Sequence, residues 1–468
     1  MHFRFMRRRL LLFMIFISLQ AGAQNTNFEN DTVAIDAIYK HVLTESVAYD
    51  WLEGMCKQIG HRLSGSANYH AAVEYFRQIM DTIGLDTIYV QELWVPHWER
   101  GEAEQVRVIS SSEGAFDYAT LALGNSLGTG PDGLTAEVIE VHTLEELEEM
   151  ADEDVTGKII FFNRPMDQSL INMLNAYVRA ADQRTLGPAM AADKGAAGAI
   201  VRSLASSTDH IPHTGSTNYR PDGRNIPALS ISTADADHLS RLLRKGEVTV
   251  FMRNTSHFLS DKKSFNLIGE IRGQTHADEI ILVSGHLDSW DVGDGAHDDG
   301  AGCVHAIDVL HTYRKMGYKP RRTIRAVLYS NEENGLRGGN AYADQALSRG
   351  EYHLAALESD LGGFTPRQFN FEAERSVFIP RFRAVGQWSD LMEPYGITFG
   401  PGGSGADISP LKPQGALLIG FRPDTQRYFD LHHSPADVFE TVNKRELHLG
   451  SASIAALIFL IDKHGLPD

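Results

Sequence analysis

Cysteine is almost missing from this chain, with only Cys56 and Cys303 among 468 residues. Two thiols in so long a protein do not make a disulfide framework and read as buried free thiols. Basic charge is also short: 43 Lys and Arg stand against 61 Asp and Glu, a formal net charge of −18. Residues 1–23 hold four of those arginines and no acid, so the remainder carries 39 basic against 61 acidic residues, or −22. A field of that sign repels nucleic acid and anionic lipid, and neither is an expected partner. Internal repeats, heptad runs and low-complexity tracts are absent too, which excludes solenoid and coiled-coil architectures. The one long apolar run, Leu10 to Leu19, is half of the roughly 20 residues needed to span a bilayer. Arg4, Arg7, Arg8 and Arg9 precede it and Ala21-Gly22-Ala23 follows. This is the pattern of an export signal over 1–23, cleaved to leave no stable membrane insertion, with a periplasmic or extracellular product.

What remains is ordinary globular material, 43% hydrophobic and 22% charged, and too long for one typical core. Residues 24–99 read as helices followed by a strand. Ala71, Val73, Phe76, Met80 and Ile83 suit one helical face, Ser64 or Ser66 suits its cap, and Gly84 its end. From 100 to 257 short strands (Val106–Ile109, Lys158–Phe162, Ala199–Arg202, Pro227–Ile231, Val248–Phe251) surround one Ala-rich helix over 189–197. That texture predicts a small β-rich domain inserted into a larger one. From 258 to 468 long apolar strands alternate with helices, the signature of a doubly wound, mostly parallel α/β sheet. The apolar faces of the N-terminal helices find their natural partner in this sheet.

The chemistry-bearing residues all fall in that last part. His286 and Asp288 follow Ile280–Val283, and Asp298-Asp299 opens a helical pattern twelve residues after His286. Glu332-Glu333 follows Ile324–Tyr329, Glu358 and Asp360 follow Leu354–Leu357, and His433 precedes the last helix. Strand C-termini of an open parallel sheet converge on one crevice, so these loops are expected to meet. Imidazole and carboxylate without thiolate suit zinc or a neighbouring divalent ion. Two imidazoles and three carboxylates exceed what one tetrahedral zinc with an open position requires, and suit two ions sharing a carboxylate. Uncompensated acids packed at one sheet edge would repel unless cations neutralise them. A two-metal hydrolase also needs a carboxylate outside the metal shell to take a proton from water. Adjacent side chains in Glu332-Glu333 point apart, so one can bind metal while the other faces the water. Asp288 is placed to hold the other nitrogen of His286.

These stretches resemble the co-catalytic zinc exopeptidases of metallopeptidase family 28. The resemblance runs through Arg62–Ser66, Pro96–Gly101, His286–Gly293, Asp298–Gly300, Glu332-Glu333, Glu358–Asp360 and His432–Ser434, in the family's order. The middle block is similar to the protease-associated domain inserted in many such enzymes, most visibly at Lys194–Ala199. The resemblance implies two Zn2+ per chain, His286 and Asp360 on one, Glu333 and His433 on the other, and Asp298 bridging. It further implies Glu332 as general acid/base, Asp288 orienting His286, and a cis peptide between Asp298 and Asp299. His433 rather than His432 matches because it stands four residues before Asp437. The substrates implied are short peptides, and a homodimer is implied as well. Relatives that serve as binding proteins and the single-zinc glutaminyl cyclases, which are transferases, supply the two alternative readings.

Amino-end trimming, carboxyl-end trimming and dipeptide cleavage are all compatible with the residues. A crevice rich in carboxylates (Glu332, Glu358, Asp360) suits an ammonium group, so a free α-amine is expected to be required. Arg422, in a region that departs from the family, reads either as the partner of a substrate carboxylate or as half of a surface ion pair.

Overall fold

The computed structural model describes residues 28–102, 104–221 and 223–467. The segment read as an export signal lies outside the described residues. Eight strands build the larger sheet: β1 (Thr87–Glu99), β2 (His257–Ile271), β3 (His276–His286), β4 (Arg322–Tyr329), β5 (Tyr352–Glu358), β6 (Pro366–Glu372), β7 (Thr398–Pro401) and β8 (Leu417–Pro423). Their spatial order is β1-β2-β4-β3-β5-β8-β6-β7. The four central strands β4, β3, β5 and β8 are parallel. β1 and β2 pair antiparallel with their neighbours, and β6 runs against β8.

The expected mostly parallel sheet is therefore mixed, and burial explains where the change falls. Every residue of β4 is buried, as a strand covered on both faces must be. In β1 the buried Gln91, Leu93 and Val95 alternate with exposed Glu92 and Trp94, the signature of an antiparallel strand with one wet face. Ile281 and Val283 of β3 point to a core shared with the helices Asp31–Glu45, Ala48–Gln58, Ala67–Ile83, Ala301–Met316 and Lys444–His464. Ile280 and Leu282 point the other way, against Tyr342, Ala343 and Ala346 of the helix Arg337–Arg349. Helices thus cover both faces, and the N-terminal helices find the partner expected for them. The helix Ala67–Ile83 starts where Ser66 accepts from the Tyr69 amide at 3.1 Å and ends at Gly84, which is left-handed. Both cysteines are buried and free.

A second eight-stranded sheet is made by strands lying between residues 104 and 254, with hydrophobic clusters of its own. It is also mixed, and helices Gly187–Asp193 and Thr233–Leu243 pack on it, together with shorter helical turns. The segment is therefore less β-rich than its texture suggests. The strands Leu134–Val141, Ile159–Phe162, Gly198–Arg202 and Ala228–Ile231 are parallel neighbours and need crossovers; helices supply the first two, and a connection over 203–227 with no helix among its described residues makes the third.

Candidate metal centre

The chain leaves β3 to form β4 on one side and returns to form β5 on the other, so a crevice opens outside the C-terminal ends of these strands. His286 is the last residue of β3 and is almost fully buried. Its Nε2 lies 3.2 Å from Oδ1 of Asp298 and 3.2 Å from Oδ1 of Asp360, beyond the end of β5. His433 Nε2 lies 3.3 Å from the other Asp298 oxygen and 3.1 Å from Oε2 of Glu333. Asp298 thus stands between two histidine–carboxylate pairs, one oxygen toward each.

Backbone features aim these groups. The Asp298–Asp299 peptide is cis, as the resemblance implies. The Asp299 carboxylate is buried and accepts from the amides of His286 (3.0 Å) and Gly302 (2.9 Å), tying the end of β3 to the helix Ala301–Met316. A Cβ at Gly302 would stand 1.8 Å from the Ser359 carbonyl, so only glycine lets this helix approach the β5 end so closely. Asp437 accepts from the amides of His297 (2.8 Å) and Asp298 (3.0 Å). His433 has φ 61°, an uncommon region for a side-chain-bearing residue and one that clusters at functional sites.

Asp288 holds the site differently from the expectation. Its carboxylate is 3.9 Å from Nδ1 of His286, whereas its backbone carbonyl accepts from that nitrogen at 3.0 Å. Either partner leaves Nε2 free as a ligand. The carboxylate instead accepts from the amides of Glu332 (3.1 Å) and Glu333 (3.4 Å), fixing the turn that carries both glutamates. Arg62, fully buried, binds the carbonyls of Leu287, Asp294 and Gly295, which explains why its stretch belongs to the family pattern. Glu358 turns away, with Oε2 on the Ile408 amide at 2.9 Å, and does not line the crevice.

Electrostatics mark this crevice as unbalanced without cations. Burial alone would push the His286 imidazole down, but Asp360 and Asp298 hold it well above the usual histidine range. Burial and then Asp298 push Glu333 up to about 7. Burial raises Glu332 well above the carboxylate range despite His286, with Asp360 and Glu333 adding to it. The donor set is imidazole and carboxylate, and the Asp298 Oδ2 atom is buried without a hydrogen-bond donor. Ligands of a tetrahedral zinc stand about 3.3 Å from one another, close to the 3.1–3.3 Å separations here. The residues fit zinc.

A cavity of about 410 Å³ lies over the centre. Its walls come from Asp298, Glu332, Glu333, Asp360, His432 and His433, and also from Tyr177, Arg184, Ser216 and Asn218 of the 104–254 segment. Those last four escaped the sequence reading, because single polar residues in short helices and loops carry no motif. Arg422 is neither of the things expected of it. Its guanidinium donates to the carbonyls of Gly403 (2.6 Å) and Ser404 (2.9 Å), tying down a glycine-rich loop away from this cavity.

Comparison with known proteins identifies the family. The model of peptidase family M28 matches residues 266–458. Carboxypeptidase Q of Bos taurus is 32% identical over 88% of this chain and 85% of its own length. Carboxypeptidase Q of Homo sapiens is 33% identical over the same shares. Among solved structures, a peptidase M28 precursor from Shewanella amazonensis SB2B is 32% identical with a TM-score of 0.87, over 94% of this chain and 99% of that one. BSAP, a zinc aminopeptidase from Bacillus subtilis, shares the fold at 21% identity and a TM-score of 0.63, over 90% of this chain and 94% of that one. The chain belongs to peptidase family M28 and is a metallopeptidase.

Proposed function

We propose that the protein is an exported exopeptidase that hydrolyses dipeptides or short unblocked peptides and holds two zinc ions per chain. His286 and Asp360 would bind one ion, Glu333 and His433 the other, and Asp298 both. The observation that carries this reading is the position of Asp298, with one carboxylate oxygen toward each histidine–carboxylate pair. Bound zinc lowers the pKa of water and polarises the scissile carbonyl.

Glu332 supplies the proton chemistry. It lines the cavity beside Glu333 and Asp360, and no side-chain hydrogen bond among the described residues occupies it. Burial and acidic neighbours raise its pKa above the usual carboxylate range, which makes its carboxylate a stronger proton acceptor than an exposed one. It takes one proton of the attacking water as the water oxygen bonds to the carbonyl carbon. It returns that proton to the amine nitrogen as the carbon–nitrogen bond breaks. Asp288 acts through the backbone, keeping the Glu332-Glu333 turn in place.

Metal analysis of the purified protein with dipeptide assays tests the reading. About two zinc ions per chain and hydrolysis that is lost to a chelator and restored by zinc are expected. Full hydrolysis with one ion would overturn the two-metal assignment, and one ion with no hydrolysis would turn the reading toward the single-zinc transferases of this fold. Two bound ions with no peptide hydrolysis would turn it toward a binding protein.

A further inference from the structure

We propose that Arg184 anchors the C-terminal carboxylate of the substrate, so that both chain ends are read and dipeptides are the preferred class. This deepens the exopeptidase reading and rests on it. Arg184 lies in the short helix Asp182–Thr185 of the segment that builds the second sheet, yet it lines the cavity over the metal centre. It is 6% exposed. Its Nη2 donates to the Tyr177 hydroxyl at 2.7 Å, its Nη1 makes a long 3.4 Å contact to the Thr214 carbonyl, and its guanidinium rests on the Tyr177 ring. No carboxylate pairs with it among the described residues, and its Nε has no acceptor. A buried guanidinium without a counter-ion is unfavourable, and an anion arriving from outside compensates it. A planar carboxylate meets the guanidinium fork with two parallel hydrogen bonds.

Glycine at 215 brings this cation to the chemistry. A Cβ there would stand 2.5 Å from the guanidinium carbon of Arg184 and 2.7 Å from Nδ1 of His433. Both groups close on one point, so Arg184 sits against the ring of a residue assigned to the metals. Arg184 is the one basic side chain of the Arg and Lys type lining the cavity, and Ser216 and Asn218 beside it add neutral polar groups. The remaining charged lining, Asp298, Glu332, Glu333 and Asp360, is acidic and comes from the strand ends. A zwitterionic dipeptide matches that division, its ammonium near the acids and its carboxylate on Arg184. The reach is short: only one residue separates the scissile carbonyl from the carboxylate in a dipeptide.

The experiment compares a dipeptide, its C-terminal amide and its N-acetyl form on the zinc-loaded wild-type enzyme and on Arg184→Gln and Arg184→Met. Equilibrium dialysis of a dipeptide with a reduced peptide bond runs alongside, and zinc content is measured throughout. In the wild type, amidation is expected to lower kcat/KM about 10–100-fold, mainly through KM, as loss of a charged hydrogen-bonded pair does. In both variants the free dipeptide should fall by a similar factor, and amidation should cost nothing further. Dialysis should show matching weakening. A variant that does not fold is replaced by its partner variant and by the wild-type substrate comparison, which needs no mutation. Equal cleavage of free and amidated dipeptides by the wild type, or variants in which amidation still costs the full factor, would overturn the role of Arg184. Absence of hydrolysis on every substrate with two zinc ions bound would overturn the exopeptidase reading itself.

Discussion

The two sheets contribute opposite things to one cavity. Loops beyond the strand ends of the larger sheet supply two histidines and four acids, where burial and then Asp298 push Glu333 up to about 7. The segment building the smaller sheet supplies an unpaired arginine, a tyrosine and small polar groups. Reactive groups need rigid placement within a few tenths of an ångström, and parallel strands buried on both faces provide it. Recognition needs a wall facing the centre, and a second layer carried on its own core provides that. The proposed roles divide accordingly, with the reaction type assigned to the first region and the choice of substrate end to the second.

The largest effect that would break this division is on the bridge. Asp298→Ala should strip metal and reduce hydrolysis to background, because it removes the one carboxylate shared by both pairs. Metal content and activity measured together check it. If both ions stayed bound, the larger sheet would hold its centre in some other way.

Next in size is the separation of the paired glutamates. Glu332→Gln should keep its metal yet lose about 10²–10⁴-fold in kcat, the usual cost of a lost general base. Glu333→Gln should lower metal occupancy instead, since its carboxylate faces His433. The opposite pattern would exchange their roles.

A smaller effect tests the seam between the regions. Gly215 has φ 127°, and Gly215→Ala adds a methyl that collides with Arg184 and His433. We expect about 1–3 kcal/mol lower stability from a side chain in that backbone region, read as a fall in Tm, with a drop in kcat/KM. Unchanged kinetics would mean that the seam can move without disturbing the centre.

The mildest test is pH. Without ions, burial and Asp298 hold the Glu333 carboxyl up to about 7, so below pH 7 it is protonated and must lose a proton to bind metal. Zinc affinity should therefore rise from pH 6 to 7 and go on rising above it, by up to about tenfold per pH unit for each displaced proton, because the His286 and His433 imidazoles, raised by their carboxylate neighbours, must also be deprotonated to bind. Competition with a chromophoric chelator measures it, and a Glu333→Gln variant whose profile keeps the wild-type slope between pH 6 and 7 would remove Glu333 from the ligand set.

Much of the larger sheet was legible because strand, turn and acid follow one another in short stretches. Ile280–Val283 before His286 and Ile324–Tyr329 before Glu332 are apolar runs that can only be buried strands, and the groups after them must emerge at one edge. Antiparallel edges were not legible, because their cause is which face meets water, and that depends on distant helices. Asp288 shows a finer limit. Its nearness to His286 follows from two residues of separation, but whether its carboxylate or its carbonyl reaches the ring depends on where the Glu332-Glu333 amides lie.

By itself the sequence determined which histidines and carboxylates stand in the loops of the candidate site, and that no cysteine stands in those loops, since these are local in the chain. Tertiary structure alone decided that Arg184 and Tyr177 would face the metal centre and that Arg422 would not. Arg184 and His433 are separated by most of the chain's second half and meet only because two sheets pack around Gly215. Such a contact is fixed by the packing of whole layers, and no spacing along the chain records it.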